Sequence, residues 1–177
     1  FYIALGLVFA VVDIGQLTSD RVPNERTLAD LPEDVRDFWG YKRLAEQVGQ
    51  RRAYIVASLI EGSSYPELIR GIITVESGWD IRAQSNRSAL GLMQIRMIAA
   101  REMEPDITSD QLFDPVKNVD IGIRIFERHM HYFDQFVDSE HWALTAYNRG
   151  RSATFSLGAR PPMTSYSLKV LGEVDKM

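Results

Sequence analysis

Six apolar residues, Val116, Val119, Ile123, Phe126, Met130 and Phe133, follow one another at steps of 3, 4, 3, 4 and 3. A helix of 3.6 residues per turn returns side chains to one face at that rhythm, whereas a strand would scatter them over both of its faces. The stripe therefore predicts one long helix with a wide apolar side. Asp114 is placed to cap it, and Pro115 sits at the first helical position, where a missing N–H is no loss. An apolar side of that length needs other elements to cover it.

Those elements are also read as helices. Leu44, Val48, Ile55 and Leu59 recur at helical spacing between Tyr41 and Glu61, and Gly62-Ser63-Ser64 breaks the pattern. The next helix is expected to start at Ser64 as cap, with Pro66 and Glu67 in its first turn, and to stop near Ser77 because Gly78 follows. Trp79 to Ala89 reads as a loop or small irregular hairpin. Further helices are expected over Gly91 to Met103, near His141–Arg149 and over Ser165–Gly172, with a short turn at Thr108-Ser109-Asp110. No run of alternating strands and no internal repeat is visible, so the fold class is mainly α.

The ends of the chain are less telling. Phe1 to Val12 carries no charge, yet twelve residues fall short of the roughly 20 that a membrane-spanning helix needs. This apolar N-terminal extension fits the remnant of an anchor or signal, a contact within a larger assembly, or a cap on the domain. Asp13 to Glu33 is polar, holds Pro23, Asn24 and Pro32, and reads as a linker. The expected organisation is a segment 1–40 followed by a domain over 41–177.

Composition then limits the chemistry. The 177 residues carry a net charge of -4 with pI near 5.4, which argues against nucleic acid as partner. Without cysteine there is no disulfide and no thiolate chemistry. His129 and His131 are two apart and point to different sides of a helix, and His141 has no ligand cluster nearby, so no metal is expected. No phosphate loop, dinucleotide fingerprint or Gly-x-Ser-x-Gly elbow is present, and no cofactor is expected.

One carboxylate stands in an unusual place. Leu68, Ile69, Ile72, Ile73 and Val75 form the apolar face of the helix ending at Ser77, and Glu76 lies four residues after Ile72 and three after Ile73. It shares their face, where a solvated glutamate does not belong. Apolar surroundings and the negative end of the helix dipole both favour its protonated form. Such a group can protonate a glycosidic oxygen near neutral pH. A boundary glutamate paired with Arg82 or Arg96 would fit the same periodicity.

The residues that follow add a resemblance. Val75-Glu76-Ser77-Gly78-Trp79, then Ala83, Ser85 and Ala89, then Gly91-Leu92-Met93-Gln94-Ile95 are similar to the lysozyme-like soluble lytic transglycosylase domain, a relative of goose-type lysozyme. The likeness continues through Leu112-Phe113-Asp114-Pro115, Asn118, Gly122, Ala146-Tyr147-Asn148 and Tyr166, covering a motif-bearing core from Ser64 to Leu171. The chain departs from the family pattern at Ser88-Ala89-Leu90-Gly91, at Arg96-Met97 and at Arg149-Gly150-Arg151, all in loop shape or substrate contacts.

What the resemblance implies is a lysozyme-like helical bundle with a glycan-binding groove. Glu76 would be its single acid/base. Ser77 would support that carboxyl, Gln94 and the backbone around Met93 would touch the glycan, and Tyr147, Asn148 and Tyr166 would line the site. The implied partner is the peptidoglycan glycan strand, cut to 1,6-anhydromuramoyl ends, with hydrolytic muramidase action as the alternative. A structural component of a virion or envelope machine that keeps the fold without catalysis is the reading from another class. The implied setting is the periplasm or cell envelope, membrane-anchored or carried in a bacteriophage particle. Trp79, Tyr147 and Tyr166 are candidate sugar platforms, with a place in the core as the alternative for an aromatic at helical spacing; Trp142 is assigned to the core, and Asp80 is the nearest candidate for a second carboxylate. Arg149 and Arg151 are candidates to meet the acids of peptidoglycan, with a solvated loop as the equal alternative.

Overall fold

The computed structural model describes residues 25–158 and 160–177. The expectations for Phe1 to Val12, and for the linker up to residue 24, lie outside the described residues. A 3-10 turn at Leu28–Asp30 leads into a short helix α1 (Glu33–Arg36), then α2 (Trp39–Val48), α3 (Gln50–Glu61) and α4 (Pro66–Ser77). A small antiparallel pair follows, β1 (Ala89–Leu90) and β2 (Ile95–Arg96), with Ala89 opposite Arg96 and Leu90 opposite Ile95. Six helices complete the described chain: α5 (Met97–Met103), α6 (Ser109–Leu112), the long α7 (Pro115–Tyr132), α8 (Ser139–Arg149), α9 (Arg151–Phe155) and α10 (Ser165–Val174). The architecture is the mainly helical one read from the periodicity.

The apolar stripe does what its spacing requires. Val119, Ile123, Phe126 and Met130 on α7 are buried, as is Phe133 just beyond it, and α3 and α8 pack on this helix. Asp114 caps α7 by accepting hydrogen bonds from the Val116 and Lys117 amides at 3.0 and 3.1 Å, and Pro115 takes the first position. Trp142 is buried and stacks on Phe133, with ring centroids 5.7 Å apart.

The apolar run from Tyr41 to Glu61 forms two helices, because Gly49 adopts φ 82°, a left-handed conformation that suits glycine and ends α2. Three local expectations need correction. Tyr65, not Ser64, occupies the cap position of α4; the Ser64 amide donates instead to Glu127 on α7, at 2.9 Å. No helix starts at Gly91: residues 91–94 form a turn between β1 and β2, and the helix begins only at Met97. The turn at Thr108 is a short helix, held by a reciprocal cap between Thr108 and Gln111.

The boundary expected at residue 41 falls inside packed structure. Leu28 is buried, Phe38 packs against the core, and Phe38 and Trp39 both lie edge-on to Trp79. Aromatic surface placed this way belongs to the same core as α2 to α4, whatever its position before the predicted domain start. Among the described residues no helix is long and apolar enough to cross a membrane.

Candidate active site

The site is built at the end of α4. Gly78 takes a left-handed conformation (φ 56°) and its amide returns to the Thr74 carbonyl at 3.1 Å, which closes the helix one residue after Ser77. Trp79 follows at φ 67°, a region that side chains other than glycine seldom occupy. Its surroundings hold it there. The indole is fully buried among Phe38, Trp39 and Tyr41. Its Nε1–H donates to Thr74 Oγ1 at 3.0 Å, and its carbonyl accepts from Gln47 Nε2 at 2.6 Å. A Cβ on Gly40 would lie 2.3 Å from this ring, so only glycine fits there. Trp79 is therefore an anchor of the helix end and not a sugar platform; burial decides between the two roles.

The same helix end is pressed against α10. Gly71 lets the two backbones approach, since a Cβ at that position would meet the Val170 carbonyl and Cγ1 at 3.1 Å. The helices run in opposite senses from that contact, so five residues on from Gly71 and four back from Val170 bring Glu76 and Tyr166 together. The Tyr166 hydroxyl is enclosed and has no hydrogen bond of ordinary geometry; the group acting on it most strongly is the Glu76 carboxyl. Burial raises Glu76 above the ordinary carboxylate range, against smaller opposing effects of the Tyr166 hydroxyl and the Lys169 ammonium. Among the described residues neither Arg82 nor Arg96 forms an ion pair with Glu76, whose charge is met by Tyr166 and Lys169; Arg82 lies over the Phe113 ring at 5.6 Å.

The opposite support is a polar one. Asn118 is buried on α7 and spends its amide on the turn after β1: Oδ1 accepts from the Met93 amide at 2.8 Å, and Nδ2 donates to the Leu90 and Leu112 carbonyls at 2.9 and 2.8 Å. Met93 packs on Gly122, where a Cβ would stand 2.2 Å from its sulfur. The Tyr147 hydroxyl, from α8, donates to the Met93 carbonyl at 2.7 Å. Gln94 follows at φ 47° and donates from Nε2 to the Ala83 and Gly91 carbonyls at 2.9 and 3.0 Å. Burial, and next the Glu76 charge, push the Tyr147 and Tyr166 hydroxyls well above their ordinary range, so both remain protonated donors.

Between these supports runs a groove of about 840 Å³, a size suited to an extended small ligand. Glu76, Gln94, Tyr147, Asn148 and Tyr166 all line it. Ser77 and Met93 do not. The Ser77 hydroxyl donates to the Ile73 carbonyl and accepts from the Trp79 amide, at 3.1 and 3.2 Å, and so closes the helix. Met93 is fully buried, and only its backbone serves the site, through Tyr147. Asp80 is occupied in the loop, accepting from the Arg82 amide at 2.8 Å. Glu102 is the other acid along the groove, and Arg128 pairs with it at 2.8 Å. Among the described residues no group of three His, Cys, Asp or Glu side chains is placed to hold a metal ion.

Sequence reasoning missed two things here. One is the work of Asn118, a family position whose role depends on three partners between 6 and 28 residues away. The other is His129, which lines the groove although its spacing says only that it lies on α7. Burial, with Arg151 and Arg128 adding to it, lowers its pKa to about 4.

A family model described as the Transglycosylase SLT domain matches residues 54–161, more than half of the chain. The chain belongs to this family. The match takes in α4, the hairpin turn, α7 and α8, and hence Glu76, Gln94, Tyr147 and Asn148. It ends before α10, which brings Tyr166 to the groove of this SLT domain. The family is one of transglycosylase-type, peptidoglycan-related activity.

Proposed function

We propose that this SLT domain is an active lytic transglycosylase. It cleaves the bond between N-acetylmuramic acid and N-acetylglucosamine with Glu76 as the only acid/base. The observation that carries the reading is a carboxyl that burial keeps inclined to hold its proton, at the edge of a groove, beside two tyrosine hydroxyls.

Bond cleavage needs a proton delivered to the leaving oxygen and negative or nucleophilic help for the sugar left behind. Glu76 supplies the proton. A second carboxylate would ordinarily supply the help, but Glu102 is engaged by Arg128 and Asp80 by its own loop. The substrate's acetamido group is the remaining candidate to stabilise the developing positive charge. Glu76, now ionised, then takes the proton from the C6 hydroxyl of the same muramic unit, and that oxygen closes the 1,6-anhydro ring. The ionised carboxylate is the costly state in this setting, and the Tyr166 hydroxyl and Lys169 are the groups that ease it. The working place of such an enzyme is the cell envelope, where its substrate lies.

Two measurements test this. The full chain should clear peptidoglycan in a gel zymogram while Glu76→Gln should not; equal clearing by the variant would overturn the assignment of the acid. Mass spectrometry of the released muropeptides should find anhydro ends, and reducible ends in their place would overturn the ring-closure step in favour of hydrolysis.

A further inference from the structure

The groove is more basic than the chain around it. Five arginines line it, Arg87, Arg96, Arg128, Arg149 and Arg151, against two carboxyls, Glu76 and Glu102, in a chain whose net charge is -4. They come from five separate places: the loop before β1, the end of β2, α7, the end of α8 and the start of α9. Arg149 and Arg151 are neighbours in the chain, and tertiary structure brings Arg87, Arg96 and Arg128 to them. Two are already engaged. Arg128 pairs with Glu102, and Arg151 lies over the Tyr132 ring at 4.9 Å. Arg87, Arg96 and Arg149 are exposed and have no ion pair among the described residues. His129, lining the same groove, is buried with its Nδ1 unpartnered, and it stays neutral at neutral pH, so the charge there belongs to the guanidiniums.

Like charges gathered in one groove repel, and a ligand of opposite sign relieves that repulsion. Guanidinium groups bind carboxylates through paired, charge-assisted hydrogen bonds. The sugar rings and acetamido groups of a glycan offer no such partner. We infer that Arg87, Arg96 and Arg149 form a carboxylate-recognition surface that selects glycan strands by the acidic groups attached to their muramoyl units. This rests on reading the groove as a glycan site. The shared chemistry has two sources. Where stem peptides are present, the acids are those of the peptide; where they have been removed, each lactyl group exposes its own carboxylate.

The test is an affinity ratio measured without turnover, in the Glu76→Gln background. Titration calorimetry at low salt compares three muramoyl ligands with chitohexaose, which has the same kind of sugar backbone and no acid. The ligands are peptide-bearing strands, amidase-denuded strands, and peptide-bearing strands whose carboxyls have been amidated. The acidic strands are expected to bind on the order of tenfold tighter than chitohexaose, and amidation should remove the advantage. Tighter binding of peptide-bearing or of denuded strands names the source of the carboxylate. Adding Arg96→Gln and Arg149→Gln should collapse the ratio towards one, and Lys at both positions should restore part of it. Both side chains are exposed, so circular dichroism should report an unchanged fold. A ratio that is already near one, that survives amidation, or that ignores the Gln substitutions overturns the inference, as does absence of binding to any strand. Failure of the proposed reaction would instead appear in the zymogram, with this ratio intact.

Discussion

The end of α4 and the turn after β1 face the same groove but are held by different physics. At the end of α4 the support is apolar. Trp79 is locked in an aromatic cage, Gly71 lets α10 approach closely, and Glu76 is carried into the groove on the same face as Ile72 and Ile73. At the turn the support is a set of directed hydrogen bonds: three from Asn118 and one from Tyr147, with Gln94 bonded back onto its own loop. Apolar support tolerates small errors in angle and penalises any charge placed in it, which suits the proposed role of Glu76 as a proton-holding carboxyl. Hydrogen bonds fix direction to within tenths of an ångström, which suits a side that must present backbone and amide groups. The contrast teaches that one groove can be acid-tuning on one wall and geometry-setting on the other.

The largest effect that could break this comparison is at Glu76 itself. Glu76→Gln should lower the rate of peptidoglycan solubilisation by about 10²–10⁴-fold, the usual weight of a general acid. Its stability should move the other way. The folded chain binds the Glu76 proton more tightly than the unfolded chain, so ionisation costs stability. That cost is absent below the ordinary carboxylate range and complete above the raised value. Melting curves taken across pH should therefore show the Gln variant at or above the parent, with the gap opening as pH rises. A variant that melts below the parent at neutral pH would remove the claim that the α4 wall penalises charge.

Next comes the anchor. Trp79→Ala empties the aromatic cage and should cost about 3–5 kcal/mol in denaturant unfolding. A loss under about 1 kcal/mol for Trp79→Ala would mean that the helix end is held by something other than this ring.

On the polar wall, Asn118→Ala leaves the Met93 amide and the Leu90 and Leu112 carbonyls without their partner. We expect a loss of about 2–4 kcal/mol, since each buried group left unpaired costs about 1–3 kcal/mol and some relaxation will occur. Activity measured well below the melting transition should fall as well, because the turn no longer holds Gln94 in place. Unchanged activity at full folding would break the view of Asn118 as the setter of that geometry.

The smallest effect is at Tyr147. Tyr147→Phe removes one hydrogen bond to the Met93 carbonyl and should cost about 1 kcal/mol. The pH profile sharpens the comparison: loss of a donor from the polar wall should lower the rate without moving the limb set by Glu76. A shifted limb would place Tyr147 with the acid-tuning wall instead.

How much of this could be read beforehand follows the same divide. The six-residue stripe of α7, the Asp114-Pro115 entry and the Gly78 stop were legible because helix period and capping act over a few neighbouring residues. The position of Glu76 was legible for the same reason, as a carboxylate on the wrong face. The turn at residues 91–94 is not, since local pattern predicts a helix in its place. Nothing within four residues of Gly91 announces that Asn118 will hold that loop in a turn. Local pattern leaves Trp79 open between platform and core, because an aromatic beside a loop looks alike whether it faces water or Phe38, Trp39 and Tyr41.

Local pattern thus determined which segments are helical, where the main ones begin and end, and which glutamate is out of place, because those outcomes are settled by interactions between near neighbours along the chain. Tertiary packing alone decided that Tyr166 meets Glu76, that Asn118 shapes the far wall, and that Arg87 and Arg96 share one groove with Arg149. Each of these joins residues far apart in the chain, and no rule of spacing encodes a contact that exists only once helices have docked.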